Sequence, residues 1–400
     1  MFMPKWMLAL VALPVVAVGA SNAGEPAAQG DFWAARDVQV PASSNGEKLR
    51  IGIWDSGVDT TLFEGRVARS ESAQDLVRGY DAFKLRQDTP MAKLPASVST
   101  WQDDLNRVLQ AFDDIDGNVD SPRARALQER LKQQTPEEKA LFDDAVGRWS
   151  GYVHGTAVAD IALAGLDRTE IVIARMEWWH GSPPVPCWSR ELADREAASI
   201  RDQLAFLVEH KARVVNMSWG RAEAAYLGNL ERCAADTPIE ERRALARYTV
   251  EAIRTALREG MAAAPAVLFV GASGNAGTSV EEANPATRFA LPNFLLIGAV
   301  DRKGNKTDWT NTGPEVTLYA NGDRVPARLP GGALSYPSGT SMATPVVVNA
   351  AAKMLAVNPN LSGAQMRALL EQTADRNATG QPLLHTKRAV EAARTSNASQ

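Results

Sequence analysis

The chain has no marked charge excess of either sign. Its 43 Lys and Arg stand against 47 Asp and Glu, a net of −4, and so mild a balance gives no reason to expect a nucleic-acid partner. Past the N-terminal residues there is no apolar run long enough to cross a bilayer, which takes roughly 20 residues. No internal repeat and no low-complexity tail are present. Cysteine is reduced to Cys187 and Cys233, and histidine to His154, His180, His210 and His385. Neither cysteine lies near the N-terminal apolar run, which excludes lipid attachment there. What remains is ordinary globular composition, 45% hydrophobic and 22% charged over 400 residues. That length suits one large α/β domain with insertions, or two small domains.

The N-terminus reads as an export signal, residues 1–23. Lys5 supplies a positive start, and Trp6 to Val18 is apolar, broken only by Pro14. Ser21-Asn22-Ala23 then puts small residues where a signal peptidase reads them. Cleavage is expected after Ala23, with Ala20 as the alternative. The expected product is exported, periplasmic or secreted, with no membrane attachment after cleavage. In an oxidising compartment Cys187 and Cys233 can form a bridge worth about 2–4 kcal/mol. They can equally stay as two thiols, and the sequence leaves both open.

Residues 24–48 are polar, rich in small residues and unpatterned, which predicts a mobile lead-in. Leu49 to Trp54 is a β-rich run ending in the turn Asp55-Ser56-Gly57. Three helices are predicted next. The first is capped by Thr100 and carries Trp101, Leu105, Val108, Leu109 and Phe112 on one face. The second opens at Ser121-Pro122, with Leu127 and Leu131. The third opens at the capping box Thr135-Pro136-Glu137-Glu138, with a stripe of Leu141, Ala145 and Trp149. His154-Gly155-Thr156 then opens a small-residue helix, 157–164. Beyond it, strand patterns at 171–174, 214–217, 267–270 and 295–300 alternate with helical ones at 200–208, 238–257 and 341–358. Ser362 to Gln365 is a second capping box. This alternation predicts an α/β fold, a parallel, doubly wound sheet with helices on both faces.

Four short segments carry candidate chemistry, and each has a plain structural reading beside it. Asp55 at the end of a strand sits where α/β folds place functional groups, or is a turn residue bonded to its own backbone. His154 is one of few histidines, and a lone histidine is more often a satisfied core or surface residue. Ser341 begins a long apolar helix, where free N–H groups and the helix dipole favour negative charge; it could also be a plain cap. Asn275 lies among glycines in Gly271-Ala272-Ser273-Gly274-Asn275-Ala276-Gly277, either as a left-handed turn residue or as an amide donor.

Together the segments are more specific. Asp, His, Asn and Ser occur in that order, and Asp-His-Ser is the chain order of the subtilisin triad. Strand-Asp-Ser-Gly, His-Gly-Thr, Val-Val-Asn-Met-Ser-Trp-Gly, Gly-Asn-Ala-Gly and Ser-Gly-Thr-Ser-Met-Ala-Thr-Pro resemble the corresponding segments of subtilases, as does Leu295 to Asp301. The resemblance covers residues 49–395, insertions aside. With the N-terminal signal, it implies an exported serine endopeptidase acting on proteins or peptides through an acyl-enzyme, the export resting on the signal and the chemistry on the resemblance. Ser341 would be the nucleophile, His154 the general base and acid, and Asp55 its orienting partner. Asn275 and the Ser341 N–H would form the oxyanion hole. Ser218, Trp219 and Gly220 would pair with the substrate backbone, and Ala272, Ser273 and Gly274 would line the pocket for the residue before the scissile bond.

The chain also departs from that pattern. Between Asp55 and His154 it carries a helical insertion at about 83–149, and a smaller one at about 221–240. The larger is read either as a surface decoration or as a lid or site for a regulatory partner. Trp219 stands where an aliphatic residue is more usual. No cofactor or metal is assigned, and a structural calcium is not readable. Asp113-Asp114-Ile115-Asp116-Gly117 fails the EF-hand template, since Phe112 and Arg123 occupy its first and last ligand positions; it is read as a solvated acidic turn. A different hydrolase pairing Ser341 with His385 is the rival reading, with a peptide-binding pseudo-protease as the other.

Overall fold

The computed structural model describes residues 32–40, 48–94, 102–177 and 186–396. The export signal, Thr100, Trp101 and His180 lie outside the described residues.

The strands are β1 (Leu49–Asp55), β2 (Val77–Tyr80), β3 (Thr169–Met176), β4 (Val214–Met217), β5 (Leu268–Ala272), β6 (Phe294–Val300), β7 (Val316–Asn321), β8 (Ala327–Arg328), β9 (Leu334–Ser335), β10 (Asp375–Arg376) and β11 (Pro382–Leu383). Nine of them make one sheet, ordered β10-β11-β7-β6-β5-β4-β1-β3-β2, and every pairing in it is parallel except β10 with β11. Side chains alternate through it as strand geometry requires. Ile51, Ile53, Ile171, Ile173, Leu268, Val270, Leu295 and Ile297 enter one core. Trp54, Val172, Ala174, Val215, Phe269 and Leu296 enter the other. Both faces are therefore apolar, and both are covered by helices, as the alternation predicts.

The principal helices are α1 (Gln102–Asp116), α2 (Pro122–Gln133), α3 (Pro136–Leu163), α4 (Arg190–Glu209), α5 (Glu223–Cys233), α6 (Ile239–Ala262), α7 (Thr340–Val357), α8 (Gly363–Gln372) and α9 (Thr386–Thr395). The first core takes buried residues from α1, α2, α3, α7, α8 and α9, and the second from α4, α5 and α6. Against the expectation that no run past the N-terminus would be long enough to cross a membrane, α7 is long and apolar enough among the described residues; its composition is that of a core helix, 78% buried.

Three further expectations are corrected here. The third predicted helix does not stop before His154. The capping box at Thr135 opens one 28-residue helix that runs through His154 to Leu163, because nothing in it breaks helical hydrogen bonding until Gly165 turns left-handed at φ +66°. Its buried stripe is Phe142, Val146, Trp149 and Val153, whereas Leu141 is 74% exposed. The acidic turn is not solvated. Asp113 and Asp114 lie in α1, and Asp114 is buried, taking bonds from Arg123 Nε and Ser121 Oγ at 2.5 and 2.6 Å. Nor is the lead-in free over 32–40. Trp33 Nε1 donates to Asp301 O at 3.1 Å, and Asp37 holds the ammonium of buried Lys353 on α7 at 2.7 and 2.8 Å. A buried ammonium needs such a partner.

The larger insertion is part of the core. Leu105, Val108, Leu109, Phe112, Leu127, Phe142, Val146 and Trp149 are all buried, in one cluster with Val158 and Met342. Trp149 Nε1 donates to Asn106 Oδ1 at 2.9 Å. Cys187 and Cys233 are joined, with Cα atoms 5.6 Å apart, inside the usual disulfide range.

Candidate active site

β1 ends at Asp55, and the chain turns at Gly57, whose φ of +123° suits glycine. Helix α3 crosses this turn at Gly155. A Cβ there would meet Gly57 O at 2.2 Å, so the two glycines let the backbones touch. Gly155 N donates to Ser56 Oγ at 3.1 Å, and Asp59 N to Thr156 Oγ1 at 3.0 Å. This locked crossing places His154 Nδ1 2.8 Å from Asp55 Oδ1. The Asp55 carboxylate is fully buried and also accepts from Ser56 N at 2.7 Å. A carboxylate can only accept, so Nδ1 is the donor in this bond and Nε2 is the ring nitrogen turned away from Asp55.

Ser341 lies in the first turn of α7, where backbone N–H groups have no intrahelical acceptor. Its hydroxyl donates to Ser218 O at 3.2 Å, and Ser218 Oγ donates back to Ser341 O at 2.8 Å. Beyond β5, Asn275 Oδ1 accepts from Thr340 N and Thr340 Oγ1, both at 2.9 Å. Gly274 N donates to the same Thr340 hydroxyl at 3.0 Å. These bonds fix the amide plane and turn Nδ2 toward Gly339, 3.2 Å from where a Cβ on that residue would lie. Asn275 is thus anchored by its oxygen and presents its nitrogen beside the start of α7.

Ser218-Trp219-Gly220 continues from β4, and Ala272-Ser273-Gly274 from β5, on neighbouring parallel strands. Trp219 does not shape a cleft with its ring. The indole is 1% exposed and packs edge-on to Trp54, centroids 5.1 Å apart. Ser273 is fully buried, its hydroxyl donating to Asn311 O at 3.2 Å. Contact with a ligand at these positions falls to the backbone.

Two residues went unread in the sequence. Asn284 bridges the two strips, accepting from Arg221 N at 3.1 Å and donating to Ala272 O at 3.1 Å. Asn311 donates to Ser273 O at 2.9 Å and accepts from Ala276 N at 2.9 Å and Thr278 N at 3.3 Å. Both are fully buried. Their partners are backbone groups remote in sequence, which leave no motif. His385 is elsewhere: it caps α9, accepting from Arg388 N at 3.5 Å. Among the described residues no group of three or more His, Cys, Asp or Glu could hold a metal ion.

A serine at a helix N-terminus, with an amide beside it, on a parallel α/β sheet that also holds a carboxylate–imidazole pair, defines the class as serine-hydrolase-like. The chain belongs to the subtilase family, whose model matches residues 46–390. Subtilisin amylosacchariticus of Bacillus subtilis subsp. amylosacchariticus is 34% identical over 108 residues, 27% of this chain and 28% of that one. Subtilisin BL of Lederbergia lenta is 40% identical over 108 residues, 27% of this chain and 39% of its own. The alignments thus span well under half of either relative. A solved lanthipeptide protease shares the fold, with a TM-score of 0.50 and 15% identity over 86% of this chain and 87% of that one.

Proposed function

We propose that the protein is an exported serine endopeptidase that cleaves proteins or peptides through an acyl-enzyme. Ser341 attacks the scissile carbonyl after its hydroxyl leaves Ser218 O for the imidazole. His154 Nε2 takes that proton and later delivers it to the leaving amine, while Asp55 holds the ring and stabilises the imidazolium. Asn275 Nδ2 and the Ser341 N–H receive the oxyanion. The substrate runs as an added strand along Ser218–Gly220, its residue before the scissile bond facing Ala272–Gly274. The larger insertion enters this reading as a fixed support of the His154 helix, not as a lid. Export rests on the N-terminal sequence alone.

The observation that carries the reading is the 2.8 Å bond between a fully buried Asp55 and His154, on a scaffold whose family pairs that order of residues with Ser341. The test is labelling by a fluorophosphonate with turnover of a peptide library. Ser341→Ala is expected to lose label and to lower turnover by about 10⁶, the loss measured for the nucleophile in subtilisin itself. Asn275→Ala is expected to lower turnover by about 10²–10³ with substrate binding little changed, again the loss measured in subtilisin for its oxyanion amide. The rate on substrate should also fall on acidification, because an imidazolium cannot accept the serine proton. A folded wild-type protein that cleaves nothing and takes no label would leave a peptide-binding relative in place of an enzyme.

A further inference from the structure

Directly after the Ser218–Gly220 strip stands a buried charge cluster that the reaction above does not use. Arg221 Nε donates to Glu196 Oε1 at 3.0 Å, and its Nη1 donates back to Gly220 O at 3.0 Å. Glu196, from α4, is further held by Tyr226 OH at 3.1 Å and by the Lys84 ammonium at 3.5 Å. Tyr226 belongs to α5, the helix that the Cys187–Cys233 bridge ties to the chain entering α4. On its other side Gly220 is bounded by Asn284, whose amide oxygen would lie 2.2 Å from any Cβ added there. Gly220 is therefore clamped between a guanidinium and an amide, and both reach the neighbouring strip or helix.

Such a cluster is a poor device for stability alone. Burying two cations and a carboxylate is costly, and apolar residues of similar size commonly do as well. Burial by itself would push the Glu196 carboxyl up, yet Lys84 and Arg221 outweigh it and hold it below its ordinary value. Burial opposes the Arg221 charge too, but Glu196 and Tyr226 more than offset it. What the arrangement provides is direction: a planar fork fixed at Glu196 sets where the Gly220 carbonyl points.

We propose that Arg221, backed by Glu196, is a positioning residue for substrate binding, holding the Ser218–Gly220 edge at its working distance from Ala272–Gly274. The proposal rests on the reading that this edge pairs with the substrate backbone.

The test uses the full purified chain and the tetrapeptide p-nitroanilide that the wild type cleaves best, beside a small fluorophosphonate with no peptide portion. For Arg221→Gln we expect KM to rise about tenfold and kcat to stay within about twofold, the size of losing one charged hydrogen bond that acts on binding. The fluorophosphonate should label at the wild-type rate, and Arg221→Lys should recover part of the KM. An unchanged KM in a folded Arg221→Gln protein overturns the proposal, as does a fall in kcat and labelling with KM unmoved. If Arg221→Gln does not fold, Tyr226→Phe decides: a KM rise of about threefold supports the proposal and no rise overturns it. A wild type that neither cleaves nor labels sinks the enzyme reading instead, which is a separate result.

Discussion

The two insertions are held to the sheet by different proportions of apolar burial and directional bonding. The larger, α1 to the first half of α3, is anchored by apolar burial, with Phe112, Phe142 and Trp149 in the same core as the helix of Ser341. It continues without a break into the helix of His154. The smaller, α5, buries less apolar surface, chiefly Tyr226 and Leu230, and adds polar and covalent links: Asn229 Oδ1 accepting from Trp188 N at 2.7 Å, Tyr226 on Glu196, and the disulfide. Apolar burial is non-directional and scales with area, so the larger insertion fixes that the domain holds together. Directional bonds fix angles, so the smaller one acts on where the adjacent Gly220 sits. Loss of the first should appear as loss of stability, and damage to the second as a change in binding.

The largest effect is expected at Trp149. Trp149→Ala removes a fully buried indole and leaves Asn106 Oδ1 without its donor, and should cost about 3–5 kcal/mol in urea unfolding. Replacing the insertion by a Gly-Ser loop should give protein that does not fold, since the α3 and α7 core would be bared. A soluble deletion variant that cleaves casein faster relative to a tripeptide would reverse this and restore a lid. The next effect is at the bridge. Replacing Cys187 and Cys233 by serine should cost about 2–4 kcal/mol by freeing the loop between them. It should also raise KM more than it lowers kcat. If the serine variant instead loses stability alone, the two insertions are not different in kind.

Much of the architecture was legible because its causes are local. Strand runs such as Leu295 to Val300 are apolar on both faces, and the capping boxes at Thr135 and Ser362 are both formed, as their spacing predicts. The candidate site is read from the order of its motifs, and the glycines in two of them have a local cause: Gly57 and Gly155 stand beside Asp55 and His154, where the backbones cross too closely for a Cβ. The helix register at 141–149 was not. A capping box marks where a helix begins but not which face packs; Trp149 falls in the stripe as expected, but the 3.6-residue period leading to it admits Phe142 and Val146 as readily as Leu141 and Ala145. The buried polar supports were the least legible. Asn284, Asn311, Glu196 and Arg221 satisfy partners that the fold alone brings near, and polar residues in the interior carry no periodic signal.

The smallest effect separates two neighbours at the end of α1, where the larger insertion meets the segment leading to Ser341. Asp113 accepts from Tyr336 N at 2.8 Å and from the Ser335 hydroxyl. Burial pushes its carboxyl up from the ordinary value, more than these donors and Arg324 pull it down. The Arg123 guanidinium, against burial, holds the Asp114 carboxyl below its ordinary value. The two therefore act on stability with opposite sign. A carboxyl raised in the folded state contributes most below its unfolded pKa, and that contribution is lost as pH rises through the folded value. A lowered one contributes above its unfolded pKa and is lost as pH falls through the folded value. Asp113→Asn keeps an oxygen to accept both bonds and removes the charge, so at neutral pH it should leave stability unchanged or raise it by up to about 1 kcal/mol. Asp114→Asn breaks the pairing with Arg123 and should cost about 1–2 kcal/mol at neutral pH, the cost shrinking in acid. Urea midpoints from mildly acidic to neutral pH would read both. If the two variants shift the midpoint in the same direction at neutral pH, Asp113 is bound as a paired anion like its neighbour, and this end of the insertion is held by charge after all.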